Sequence, residues 1–336
     1  MKKGFIFIFL FSFMGYSQTG GENIFNFLNI STSARQTALG GKVLTVLDNV
    51  NQPSWNPATI SNNIDNNFAF NYVNYLADVS LTSVSFAHMI NRQIGTFHTN
   101  ITYLNYGKFI SADETGIETG SFKAYDFLFS LGYSYNILNS DFYIGANVKV
   151  INSVIENYSS FGIGGDFALL FSNENVPYAF TVVVRNLGYQ LSVFDSDREK
   201  LPFQVDLGAS YKLENVPLTW YFTIDNLQQW KLAYSNSSNQ TEDLNGNIIQ
   251  EKISFFDNAF RHISVGAELF SEGIFNLRFG YNFRRAKELK FVDQRSFAGF
   301  TAGFGLRMNK FKLNYAFSKY HPAANSSTFS LLINLN

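Results

Sequence analysis

The stretch KAYDFLFSLGYSYNI, from Lys123 to Ile137, places Tyr125, Phe127, Phe129, Leu131, Tyr133 and Tyr135 at alternate positions. Asp126, Leu128, Ser130, Gly132 and Ser134 fall between them. Side chains of a strand point alternately to opposite faces, so these are two surfaces, one aromatic and one small and polar. The pattern returns along the chain. Phe142 to Ser153 sets Phe142, Ile144, Ala146, Val148 and Val150 against Gly145, Asn147 and Lys149, and Phe275 to Phe283 sets Phe275, Leu277, Phe279, Tyr281 and Phe283 against Asn276, Arg278, Gly280 and Asn282. Gly95–Tyr106, Phe161–Phe171 and Phe311–Phe317 alternate in the same way. With Asn66–Leu76, Leu81–Met89, Tyr178–Gly188, Phe203–Leu213, Leu218–Leu227, Ala259–Phe270, Ala298–Met308 and Thr328–Leu335, the reading predicts about fourteen strands.

Charge tells the two surfaces apart. One row holds Asp126, Lys149, Asp166, Arg185, Asp206, Lys212, Asp225, Glu268, Arg278 and Arg307, while the aromatic row is nearly free of charge. A basic side chain facing lipid at mid-membrane costs roughly 2–4 kcal/mol, so the charged row belongs inside a closed sheet and the aromatic row outside. Connections after even-numbered strands are short, such as Asn91-Arg92-Gln93 and Asn309-Lys310. Those after odd strands are mostly long: Lys108–Ser121, Tyr189–Leu201, Gln228–Asn258 and Arg284–Ser296. Short turns alternating with long loops define an outer-membrane antiparallel β-barrel, an all-β fold. Only 15% of residues are charged, below the ~25% of soluble domains.

The first residues read as a signal peptide, 1–17: a basic Met1-Lys2-Lys3, an apolar run from Gly4 to Met14, and cleavage between Ser17 and Gln18. That run is shorter than the ~20 residues of a spanning helix. A formal charge of -1 gives no electrostatic basis for nucleic-acid binding, and the absence of Cys excludes thiolate metal sites, a cysteine nucleophile and a lipoprotein anchor. The four histidines, His88, His98, His262 and His321, are scattered without metal-site spacing. His262 and Glu268 lie on one face among serines, but no G-x-S-x-G context accompanies them. Gly162-Ile163-Gly164-Gly165 lies inside a strand with no helix after it, unlike a nucleotide loop. Asp243, Asn245 and Asn247 imitate the start of a calcium loop, but Gly246 is misplaced and Ser254 stands where Glu is needed. No catalytic residue, metal or cofactor is therefore expected.

Residues 18–65 do not alternate. They carry Arg35, the turn-permitting pair Gly40-Gly41, Asp48 and Asn56-Pro57-Ala58. In this order these residues resemble the N-terminus of barrels related to the fatty-acid transporters of the outer membrane, most of all the PorV/PorQ family of the type IX secretion system. The stretches FNFLN at Phe25–Asn29, NYVNYLADV at Asn71–Val79, VRNLGYQL at Val184–Leu191 and KYHPA at Lys319–Ala323 extend the resemblance over nearly the whole mature chain. It implies an N-terminal hatch, 18–65, inside a fourteen-strand barrel, 66–336. It also implies a non-enzymatic role at the cell surface, in an attachment complex with PorZ, PorU and PorV. The alternative is a transporter of hydrophobic small molecules; recurring charges on the inner row favour a closed lumen over a greasy conduit. An arginine inside a plug needs a carboxylate, and Asp48 is the first candidate for Arg35. Trp230, Tyr234, Phe255 and Phe256, in the longest connection, are the expected anchors for a surface partner. The chain ends at Asn336 rather than an aromatic residue, yet Phe329, Leu331, Ile333 and Leu335 still alternate.

Overall fold

The computed structural model describes residues 23–91, 94–137, 140–233, 241–242, 248–249, 253–289, 297–321 and 324–336. The expected signal peptide lies outside the described residues. Fourteen antiparallel strands close into a barrel: β1 (Asn67–Leu76), β2 (Val79–Asn91), β3 (Gly95–Ala112), β4 (Glu118–Asn136), β5 (Phe142–Ile155), β6 (Tyr158–Ser172), β7 (Tyr178–Ser192), β8 (Gln204–Lys212), β9 (Leu218–Ile224), β12 (Ile263–Leu269), β13 (Phe275–Asn282), β14 (Phe300–Met308), β15 (Phe311–His321) and β16 (Ala324–Asn334). Each pairs with its neighbours in sequence order, and β1 pairs with β16 to close the ring. Two short segments, β10 (Thr241–Glu242) and β11 (Ile248–Ile249), pair antiparallel as a separate two-stranded sheet.

The alternation has the expected sense. In β4, Phe127, Phe129, Leu131 and Tyr135 are exposed on the outer surface, while Asp126, Leu128, Ser130 and Ser134 are buried. Eight of the ten expected inner charges are buried. Lys212 and Arg307 are exposed instead: Lys212 pairs with Glu272, and Arg307 bonds the carbonyl of Glu272 at a short turn. At the rim the lumen gives way to open solvent, so facing inward no longer means being covered.

The connections differ more. Lys108–Ser121 is mostly strand: β3 and β4 run on, pairing Phe109 with Phe122 and Ser111 with Gly120, so only 113–117 turn. A shift in register at Asn105/Lys108, with Gly107 at φ 87°, restarts the pairing beyond it. Asp113 closes the hairpin by accepting from the Thr115 amide at 2.9 Å and the Ile117 amide at 2.9 Å. Likewise Tyr189–Ser192 belongs to β7. The strand expected over Ala259–Phe270 begins only at Ile263, because FFDNAF forms helix α2 (Phe255–Phe260) with Asp257 in its first turn. The strand expected to reach Phe283 ends at Asn282, whose side chain caps helix α3 (Phe283–Glu288) by accepting from the Arg285 amide at 2.9 Å. The asymmetry between the two ends survives these changes: the long connections are 193–203, 225–262 and 283–299, and all follow strands running the same way.

Candidate functional site

The barrel is not hollow. Most residues between Ile24 and Ile64 are buried against the inner face of the strands. The described part of this segment begins at the end bearing the long connections, where the Ile24 amide donates to the carbonyl of Lys200 at 3.0 Å. It reaches α1 (Ala34–Ala38), turns at Gly40-Gly41 with φ of 96° and 90°, and leaves through three short 3-10 turns that end beside β1. Those φ values favour glycine. Asn56 is extended, at φ -141° and ψ 98°, as the residue before a proline must be.

Two inner-row glycines explain how so much chain fits. A Cβ at Gly145 would stand 2.2 Å from the Ala58 nitrogen, and one at Gly280 would stand 2.1 Å from the Gly40 nitrogen. The backbone of the inner segment therefore lies directly on the wall at both points. The Gly40 amide also donates to Thr301 Oγ1 at 3.1 Å, and that hydroxyl donates to the Ala38 carbonyl at 2.8 Å. Asn51 and Asn71 exchange side-chain hydrogen bonds at 3.2 and 2.8 Å. Asn56 accepts from the Ala58 amide at 3.0 Å and donates to the Leu44 carbonyl at 2.7 Å and to Thr181 Oγ1 at 3.0 Å. Asn56→Ala leaves these buried partners unpaired. It is expected to lower stability by about 1–3 kcal/mol, read as an earlier urea midpoint for the purified barrel in detergent.

The charged residues form two groups. Arg35 in α1 meets Asp48 at 2.5 Å, and also Glu268 of β12 at 2.7 Å. Glu268 takes Arg278 Nε at 2.7 Å and the Tyr221 hydroxyl at 3.1 Å, and Lys312 stands 3.9 Å from Asp48. Burial works against the charges of Arg35, Glu268 and Arg278, while Asp48 is half-exposed. The Arg35 guanidinium nevertheless holds the Asp48 carboxyl well below the usual carboxylate range, and Asp48 and Glu268 together raise Arg35. The second group runs through Lys149–Asp166 at 2.8 Å, Arg185–Asp206 at 3.8 Å and Lys42–Asp225 at 2.6 Å. Arg185 matters most to the inner segment. Its Nη2 donates to the Leu28 carbonyl at 2.9 Å and its guanidinium lies 3.8 Å from the Trp55 ring centroid.

Sequence reasoning placed Asp48 beside Arg35 but missed Glu268 as the second partner. It also missed Arg185 as a clamp; the only signal was a charge in a row otherwise small and polar. His262 and Glu268 are not brought together. The ring nitrogens of His262 sit 2.6 Å from the Asp225 carbonyl and 3.0 Å from that of Trp230, while Glu268 is held by two arginines.

An apolar cluster and a cavity flank this core. Towards the long connections, Phe25, Phe27 and Leu28 pack in an apolar cluster with Leu81, Leu104 and Leu128 of the wall and with Val73, Ile151 and Leu201. At the short-turn end a cavity of about 620 Å³ opens, with a lining of mixed character that includes Arg35, Asp48, Leu47, Leu170, Lys212 and Glu272. Of the expected partner-binding residues, Trp230, Phe255 and Phe256 are exposed at the long-connection rim, with Trp230 5.2 Å from Phe255 and Phe255 5.8 Å from Phe256 between ring centroids. Tyr234 lies outside the described residues.

A closed fourteen-strand antiparallel barrel with an aromatic exterior defines an outer-membrane class of protein. The structure is similar to the toluene transporter TbuX of Ralstonia pickettii, with a TM-score of 0.51 and 12% identity over 92% of this chain and 98% of that one. It is also similar to the toluene transporter TodX of Pseudomonas putida, with a TM-score of 0.52 and 12% identity over 90% and 97%. A FadL homologue from Pseudomonas aeruginosa gives 0.51 and 12% over 91% and 98%. No protein-family model and no curated protein sequence matches the chain. The fold is thus that of the FadL-like outer-membrane barrels.

Proposed function

We propose that the protein is a non-enzymatic outer-membrane barrel, working without a cofactor, that admits hydrophobic small molecules. In this reading its N-terminal segment is the hatch. The observation that carries the reading is the apolar cluster near the long-connection end, where the wall side chains that an apolar ligand entering from that side would meet are covered by the segment's own Phe25, Phe27 and Leu28. Two similarly folded barrels are toluene transporters. Arg35 with Glu268, Lys149 with Asp166 and Arg185 with Asp206 are paired on the inner face of the wall or with the segment, so passage requires the segment to move and not merely the ligand to diffuse. The purified barrel should bind a fluorescent fatty acid saturably, and Leu104→Asp with Leu128→Asp should abolish that binding while leaving a heat-modifiable folded barrel. If the wild-type barrel shows no saturable uptake of fatty acid or toluene, this reading fails.

A second reading, membership of a type IX attachment complex with PorZ, PorU and PorV, draws on the sequence resemblance to the PorV/PorQ family and on the exposed Trp230, Phe255 and Phe256. Deleting 236–250 spares the flanking barrel strands. On this reading, the deletion should release the surface partner from an otherwise assembled barrel. Retention of the partner would reject that docking site.

A further inference from the structure

The long-connection rim is not uniform. Above β12 and β13 it is built from two short helices, α2 and α3, and their aromatic rings continue the outward row of the wall. Tyr281 and Phe300 pair across strands on the outer surface with ring centroids 5.6 Å apart. Tyr281 meets Phe283 of α3 at 4.8 Å, and Phe283 meets Phe260 of α2 at 5.4 Å. Phe256 is four residues before Phe260 and so shares its helix face. Phe256 is 70% exposed, Phe260 47% and Phe300 50%. This ladder rises from the wall without a break, on the side of the wall that faces lipid in an outer-membrane barrel.

Cations gather at its top. Asp257 lies between Arg261, at 3.1 Å, and Lys287, at 2.7 Å, and Arg284 pairs with Glu288 at 2.7 Å. Hydrogen bonds from Lys287 and then Arg261 hold the Asp257 carboxyl below its ordinary value, so it stays charged and keeps both cations in place. Among the described residues of this face, the three cations Arg261, Arg284 and Lys287 stand against the two carboxylates Asp257 and Glu288, leaving positive charge beside an exposed apolar face. That combination marks an interfacial helix, with rings among acyl chains and long basic side chains reaching the headgroups.

We propose that the α2–α3 rim is a binding site for phosphate-bearing headgroups of anionic lipids in the outer leaflet. Phe256 and Phe260 seat against acyl chains, and Arg261, Arg284 and Lys287 meet the phosphate. Continuity with the lipid-facing wall and the surplus positive charge select a lipid over a soluble protein. Guanidinium and ammonium donors both suit phosphate oxygens.

The chain contains no cysteine, so a single introduced thiol reports on its position without background. Phe256→Cys tests the rim, and Ile117→Cys, at the exposed tip of the β3–β4 hairpin, is a control at the same end of the full-length barrel. Both are reconstituted in vesicles of phosphatidylcholine containing phosphatidic acid and labelled with a water-soluble maleimide. Labelling at position 256 is expected to be about tenfold slower than at 117, in keeping with burial at the headgroup boundary. Protection should weaken in pure phosphatidylcholine and in an R261Q/R284Q/K287Q background. Equal labelling at 256 and 117 would overturn the proposal and leave the rim to a soluble partner. Protection indifferent to phosphatidic acid would also overturn it, showing an apolar anchor with no headgroup site. The lipid comparison needs only the single-thiol proteins, so it stands if the triple variant does not fold.

Discussion

Replacing Glu268 with alanine is expected to free the N-terminal segment. Glu268 is fully buried and is the acceptor shared by Arg35, Arg278 and Tyr221. Its loss strands the Arg278 guanidinium in the barrel wall and leaves Arg35 with the half-exposed Asp48 alone. Breaking a buried ion pair by removing one partner costs about 3–5 kcal/mol. Most of that cost is relieved if α1 leaves the wall and Arg35 reaches water, so the released state should gain at least about a hundredfold in population. Planar-bilayer recording should show a closed wild-type barrel and an Glu268→Ala barrel with long-lived openings. Tyr221→Phe removes only one hydrogen bond to the same carboxylate and should cost about 1.5–3 kcal/mol without opening the lumen, because both arginines keep their acceptor. A Glu268→Ala barrel as closed and as stable as the wild type would show that the network does not retain the segment.

The second large effect is steric. Gly280→Val places a Cβ 2.1 Å from the Gly40 nitrogen and 2.4 Å from the Leu39 carbonyl carbon. Neither is the end of a flexible side chain, so no rotamer change relieves the clash. Overpacking within side chains costs about 1–3 kcal/mol, and a clash with fixed backbone exceeds that. The outcome expected is a barrel whose segment is displaced and digested by added protease at sites between 24 and 64 that are shielded in the wild type. Gly145→Val, against Ala58 and Pro57, should act in the same way at the other anchorage. Continued protection in both lumen variants would mean that the segment does not need its close seat on the wall.

These expectations rest on features that the amino-acid order reveals to very different extents. The barrel is written in a period of two. Each strand repeats the contrast between rows, as Phe127 against Asp126 and Val148 against Lys149 do, and one face of every strand must be tolerable to lipid. Strand number and the side bearing the long connections followed from that repetition. Strand ends did not. Phe255 to Phe260 is rich in a strand-favouring residue yet forms a helix, and Lys108–Ser121 looks like a loop yet continues a hairpin, because beyond the wall no second face enforces alternation.

The inner segment was visible only as a stretch that fails to alternate. Arg35 asked for a carboxylate, and Asp48, thirteen residues away, could be guessed. Glu268 lies 233 residues from Arg35, and Arg185 lies 157 from Leu28, so no local pattern couples them. The glycines of the inner row read as small lumen-facing residues, with nothing to distinguish Gly145 and Gly280 as seats for another backbone. Alternation is a one-strand property and survives in the sequence. Which inner side chain meets which part of the segment depends on closing the ring and threading the chain through it, and that information exists only in three dimensions.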